Sequence, residues 1–278
     1  MGEENEARLG EFIGLPATAY HADSAIGSSS LGAILRSPAH FHARMTGEAL
    51  EEESDAMSLG TSTHYATLEP ELFEKTYVVS QKFDRRTKEG KAAHEAFKRE
   101  HRGKIVIDPD DYETTLRMRD ALLAHPTARK ILERKPTLRE ASYFWIDEET
   151  GIRCKCRPDL IVQGALVVDL KTTKDASPAG FRKSIVNYGY HRQRAHYLAG
   201  IQAVTRVPLD EWVFLTVENV KPHGVAIYRL DEEFAELGER RRREALEKIK
   251  AASASGRWRT YNEEKAVTLS APRYAFEE

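Results

Sequence analysis

Apolar residues along the chain follow two periods, and the changes between them mark out the elements. Behind the serine cluster Ser28-Ser29-Ser30, Leu31, Ile34 and Leu35 recur at helical spacing, which predicts a helix start. From Met57 a second helix carries Gly60, Thr63, His64, Thr67 and Leu68, and Pro70 marks its end. Asp108-Pro109 opens a helix to about residue 125, with Tyr112, Leu116 and Leu123 on one stripe and Pro126 closing it. Later helices are predicted over residues 179–187, announced by Ser177-Pro178, over 190–204, and over 231–253, where Phe234, Leu237, Leu246 and Ile249 face the core. Strand patterns cover residues 140–146, 211–217 and 224–230. Two further apolar-rich runs, 156–162 and 165–171, flank Gln163-Gly164 and read as a β-hairpin.

That hairpin carries the candidate chemistry. Leu166, Val167, Val168 and Leu170 suit a buried strand, yet Asp169 and Lys171 interrupt one face of it, since alternate residues share a face. Asp159 follows a proline in the other arm, so antiparallel pairing brings three polar heads to one end. Two explanations stay open from these residues alone. One is a structural ion pair at a strand end. The other is a metal site, in which two carboxylates and the Leu170 carbonyl offer hard oxygen ligands to Mg²⁺ while Lys171 holds a water or a phosphate oxygen. A simple ion pair does not require the second acid.

The motif Pro158-Asp159 followed by Asp169-Leu170-Lys171 resembles the signature of the PD-(D/E)XK nuclease superfamily. Its neighbours, residues 153–159, Asp169-Leu170-Lys171-Thr172-Thr173 and residues 190–197, resemble the exonuclease VIII (RecE) nuclease domain family, and the likeness runs from about Tyr20 to Tyr274. The resemblance implies an α/β fold of the restriction-endonuclease-like type, a mixed central β-sheet flanked by α-helices. It implies a 5′-to-3′ exonuclease on double-stranded DNA ends that leaves a 3′ single strand, with Mg²⁺ as cofactor and Mn²⁺ as its substitute. Within it, Gly60 to His64 matches a first motif whose histidine joins the metal site, so His64, Asp159, Asp169 and the Leu170 carbonyl are the implied ligands. Gln193 and Tyr197, one helical turn apart, match a Gln-x-x-x-Tyr motif beside the active site, with Tyr190 next to it.

DNA contacts are expected at Arg85, Arg86, Lys88 and Lys91, a cationic run that matches the family and otherwise reads as a solvated face. Ser28 and Ser30 are candidates for a terminal phosphate at a helix start, with capping as the plainer role. Glu140 is an acid that could join the site but is left outside the first ligand set. The family further implies a homo-oligomeric ring, a tetramer, and a single-strand annealing protein as partner. Two rivals use the same residues: a structure-specific or restriction-type endonuclease, and a non-catalytic nucleic-acid-binding protein.

Composition narrows the frame. The chain has 278 residues with a formal net charge of −2, which excludes a globally basic binder but not a local basic groove. No apolar run reaches a membrane span and the first ten residues are acidic rather than signal-like, so the expectation is a cytoplasmic protein in a bacterial or phage-infected cell. Residues 1–19 are expected as a flexible arm and 20–278 as one domain. Cys154 and Cys156 are the only cysteines, too few for a four-cysteine metal site, and are expected as small buried residues.

Overall fold

The computed structural model describes residues 8–48, 55–81, 83–84, 86–162, 166–209, 211–261 and 266–271, the side chains of 55–57 excepted. Its N-terminal half contains β1 (Gly10–Phe12), α1 (Ala17–Ala22), α2 (Ser28–Arg36), α3 (Pro38–Thr46), α4 (Asp55–Leu68), α5 (Pro70–Thr76), β2 (Tyr77–Val79), α6 (Lys88–Glu100), β3 (Ile105–Ile107), α7 (Pro109–Ala124) and α8 (Pro126–Glu133). Then follow β4 (Thr137–Arg139), β5 (Ser142–Ile146), β6 (Arg153–Cys156), β7 (Leu160–Val162), β8 (Leu166–Thr173), α9 (Pro178–Tyr188), α10 (Tyr190–Thr205), β9 (Trp212–Glu218), β10 (Val225–Tyr228) and α11 (Glu232–Ser255).

Five strands form the central sheet in the order β10-β9-β8-β7-β4. β8 and β9 are parallel, with α9 and α10 as the crossover between them; the other pairs are antiparallel. The sheet is therefore mixed, as an α/β restriction-endonuclease-like fold requires. Both faces of β8 are covered, which explains why its sequence is a nearly continuous apolar run. Val167 and Phe214 lie in one core with Ile201, Leu246 and Ile249, while Val168, Leu170 and Leu215 lie in another with Met118 and Leu122. The hairpin exists as β7 and β8, Val162 opposite Leu166; its Gln163-Gly164 turn lies outside the described residues. Among the described residues no helix is long and apolar enough to cross a membrane.

The structure departs from the sequence expectations at several points, each with a physical reason. Cys156 does not belong to the hairpin: Arg157-Pro158 ends β6, which pairs with β5 in a separate sheet of order β1-β5-β6, since proline cannot donate to a ladder. The strand expected over 140–146 begins only at Ser142, as β5, because Glu140, whose φ is 50°, breaks the chain between it and β4, which ends at Arg139. Gly10–Phe12, placed in a flexible arm, pairs with β5 as β1. Gly27, not a serine, precedes α2, and Ser28, Ser29 and Ser30 form its first turn without a side-chain cap. The inner stripe of α7 is Thr115, Met118 and Leu122, while Leu123 is exposed, and Pro126 opens α8 instead of ending the helical stretch. The helix expected over 231–253 buries a charged residue along with its apolar ones: Arg242 lies on the buried stripe of α11, paired with Asp147 at 2.9 Å and with Glu239. Cys154 and Cys156, by contrast, are free and buried as expected.

Candidate metal-binding and catalytic site

The break at Pro158 and the register of β7 on β8 place Asp159 beside the backbone of Leu170. Asp159 Oδ2 accepts from the Leu170 N–H at 2.6 Å. The Leu170 carbonyl accepts from His64 Nε2 at 2.8 Å, so one residue of β8 joins the acid to the imidazole. α4 can bring His64 this near because of Gly60, one turn earlier: a Cβ there would lie 3.1 Å from Thr172 Oγ1. His64 Nε2 is also 3.4 Å from Asp159 Oδ2, and its Nδ1 is 4.0 Å from Glu140 Oε1. Candidate ligand atoms of His64, Glu140 and Asp159 all lie within 4.8 Å of one another.

Asp169 faces the opposite core and is fully buried. Its Oδ1 accepts from Gln193 Nε2 of α10 at 2.9 Å, and its Oδ2 lies 2.6 Å from the Lys171 ammonium. The ammonium in turn sits 4.8 Å from the Tyr190 ring centroid. Burial pushes the Asp169 carboxyl up to about 6, opposed by Lys171 and reinforced by Asp159. Asp159 is raised by burial as well, against the pull of His64 and Lys171. For Lys171, burial lowers the pKa but Asp169 and Asp159 outweigh it, and the group stays an ammonium. His64 behaves likewise: burial lowers it, yet Asp159, Glu140 and the Leu170 carbonyl lift it to about 9.

A position that lifts an imidazole so far favours positive charge. Three carboxylates, an imidazole and a carbonyl also form the hard donor set that Mg²⁺ or Mn²⁺ takes. On both counts the residues fit a divalent cation held by His64, Glu140, Asp159 and the Leu170 carbonyl, with Asp169 beside them.

The structure thus brings Asp159, Asp169, Leu170, Lys171, His64, Gln193 and Tyr190 to one place. Tyr197 lines the same cleft and packs edge-on against Trp212 at 5.9 Å, with burial holding its phenol protonated. The serines take another position: Ser30 is buried with its hydroxyl toward Met45, Ser29 accepts from Arg44, and none of Ser28 to Ser30 lines the cleft. Arg86, Lys88 and Lys91 are exposed around the start of α6, away from the cleft lining, and Arg85 lies outside the described residues.

Glu140, which the sequence left out of the ligand set, lies with His64 and Asp159 in the cluster that could hold a metal. The cleft of about 1200 Å³ adds further groups to which the sequence assigned no role, among them Tyr20, His21, Arg157, Lys174 and Lys183. Arg157 stacks its guanidinium 4.4 Å over the Tyr20 ring and donates to the Leu15 carbonyl and Ser142 hydroxyl, so it is a fixed cation on the wall.

Comparison with known proteins bears on the family and the fold. Residues 27–269 match the family described as a PDDEXK-like domain of unknown function (DUF3799). A crystal structure of a protein from Eubacterium rectale, described as a candidate exonuclease, superposes with a TM-score of 0.62 at 11% identity, over 96% of this chain and 99% of that one. At that identity the likeness is one of fold. A second solved structure, SSO0001, reaches a TM-score of only 0.27 at 14% identity, over 77% of this chain and 81% of that one, and carries no argument. No curated protein matches the chain.

Proposed function

The chain belongs to the PDDEXK-like domain family, and from that premise we propose that it hydrolyses phosphodiester bonds at double-stranded DNA ends as a Mg²⁺-dependent 5′-to-3′ exonuclease. The observation that carries this is the buried Asp159–Asp169–Lys171 constellation, tied to His64 through Leu170 and to α10 through Gln193, at a cleft lined by cations and tyrosines. Direction, a 3′ single-strand product, a ring-forming homo-oligomer and a single-strand annealing partner belong to the proposal through the likeness to the exonuclease VIII domain, as does a role in recombination.

The residues divide the work as follows. Bound Mg²⁺ supplies Lewis-acid polarisation of the scissile phosphate and an acidified water. Asp159, His64, Glu140 and the Leu170 carbonyl would hold the ion, and the Leu170 amide on Oδ2 fixes the orientation of the Asp159 carboxylate. Lys171, held by Asp169 and the Tyr190 face, places a fixed positive charge where negative charge grows on the phosphate oxygens. Gln193 holds Asp169, and through it Lys171, in one orientation. Among the described residues no element resembles a base-reading module, and the substrate is recognised by its end and backbone.

Linear duplex DNA labelled at one or the other terminus tests the polarity. Early release of the 5′ label with a surviving 3′ strand supports the proposal; early release of the 3′ label contradicts it.

A further inference from the structure

One wall of the cleft takes no part in the hydrolytic site as described. Tyr188 ends α9 and is 68% exposed, yet it is held in place. Its ring stacks on Tyr190, centroids 5.6 Å apart and planes 29° apart. Tyr190 is the ring that carries the Lys171 ammonium. Between the two tyrosines, Gly189 adopts φ 69° and its N–H donates to the Ile185 and Val186 carbonyls, closing α9 as α10 begins. A Cβ at Gly189 would come within 2.6 Å of the Arg192 guanidinium, so the turn between the rings is fixed by glycine. Lys174 and Lys183 line the same cleft as Tyr188, and the neighbouring Asp175 carboxylate is turned to the Ser177 amide.

We propose that Tyr188 is a stacking ledge for an unpaired base of a single-stranded DNA segment close to the scissile phosphate, with Lys174 and Lys183 on its backbone. This rests on the hydrolytic function proposed above only for where the scissile phosphate lies. The class of ligand follows from the exposed ring. A base inside a duplex already has both faces stacked, so an open aromatic face next to cations serves a base that has left its partner, whatever its identity. The enzyme then grips a frayed strand, not an intact helix, beside Lys171.

Oligonucleotides carrying 2-aminopurine at successive positions, titrated in EDTA so that no turnover occurs, test the ledge. Wild type quenches one or two adjacent positions; Tyr188→Phe keeps the quench. Tyr188→Leu and Tyr188→Ala lose it, with affinity for single-stranded DNA falling about tenfold. Lys174→Gln and Lys183→Gln leave the quench in place and each lower the salt slope of binding by about one. If Tyr188 merely covered Tyr190, leucine would preserve both quench and affinity, and that result overturns the proposal, as does the absence of a quenched position in wild type. Because the side chain is exposed, melting temperatures of the Tyr188 variants stay at the wild-type value and exclude misfolding. The outcomes also separate the two proposals. Tyr188-dependent quenching without hydrolysis in Mg²⁺ overturns the nuclease function and keeps the ledge, whereas hydrolysis with no effect at Tyr188 overturns the ledge alone.

Discussion

Asp169→Asn should make this protein more stable at pH 8 while removing its activity. The folded protein holds the Asp169 carboxyl at about 6 against an ordinary value of 3.8, because burial penalises the charge more than Lys171 relieves it. The sign follows from proton binding: between those two values the folded state binds the proton more tightly than the unfolded chain does. The stability that this one carboxyl contributes is thus fully present below pH 3.8 and is lost as pH rises through about 6. The gap corresponds to about 3 kcal/mol at pH 8. Asparagine resembles the protonated acid and never ionises. Gln193 can turn its amide to accept from the new NH₂ while the remaining oxygen faces Lys171, so no buried polar group is orphaned. In EDTA, thermal melts of variant and wild type should differ by about 6 °C at pH 8, the variant higher, and the difference should vanish near pH 4. A variant that melts at or below wild type at pH 8, or keeps a constant offset at both pH values, refutes the argument that the site holds a destabilising charge for its chemistry.

Other predictions follow from particular contacts. Glu140→Gln, whether Glu140 ligates the ion or orients His64, should weaken Mn²⁺ binding about tenfold by calorimetry; unchanged affinity would remove Glu140 from the site. Arg242→Met strands the buried Asp147 carboxylate and should cost about 3 kcal/mol in urea unfolding, whereas a loss under about 1 kcal/mol would mean an ordinary surface pair. Gly200→Ala drives a methyl into the Trp145 ring and should destabilise by about 1–3 kcal/mol in the same assay; a neutral result would mean that α10 shifts freely on β5.

The hairpin that bears the candidate site was legible because its signals are local: two apolar arms, a turn dipeptide, and charges where a buried strand should have none. Gln193 was found only through a family motif, since nothing in the period of α10 says that one of its polar residues meets Asp169. Glu140 was hidden because its place depends on a break between β4 and β5 at a positive φ, which no apolar pattern announces. Arg242 could have been read from spacing, as it stands four residues before Leu246 and seven before Ile249 on one helix face. The surrounding arginines obscured that period. The exposed cations at the start of α6 look like the clearest phosphate-binding run in the sequence, yet the cleft is lined instead by Arg157, Lys174 and Lys183, which only the tertiary fold brings together.

The most direct test of the central claim compares wild type with Asp169→Asn and Lys171→Ala on linear duplex DNA and on covalently closed circles, with Mg²⁺. Wild type should degrade the linear duplex and spare the circles, and both variants should bind DNA without cutting it. Cut circles would make the enzyme an endonuclease with this metal site. Near-normal turnover in either variant would contradict the assignment of Asp169 and Lys171 to the chemistry.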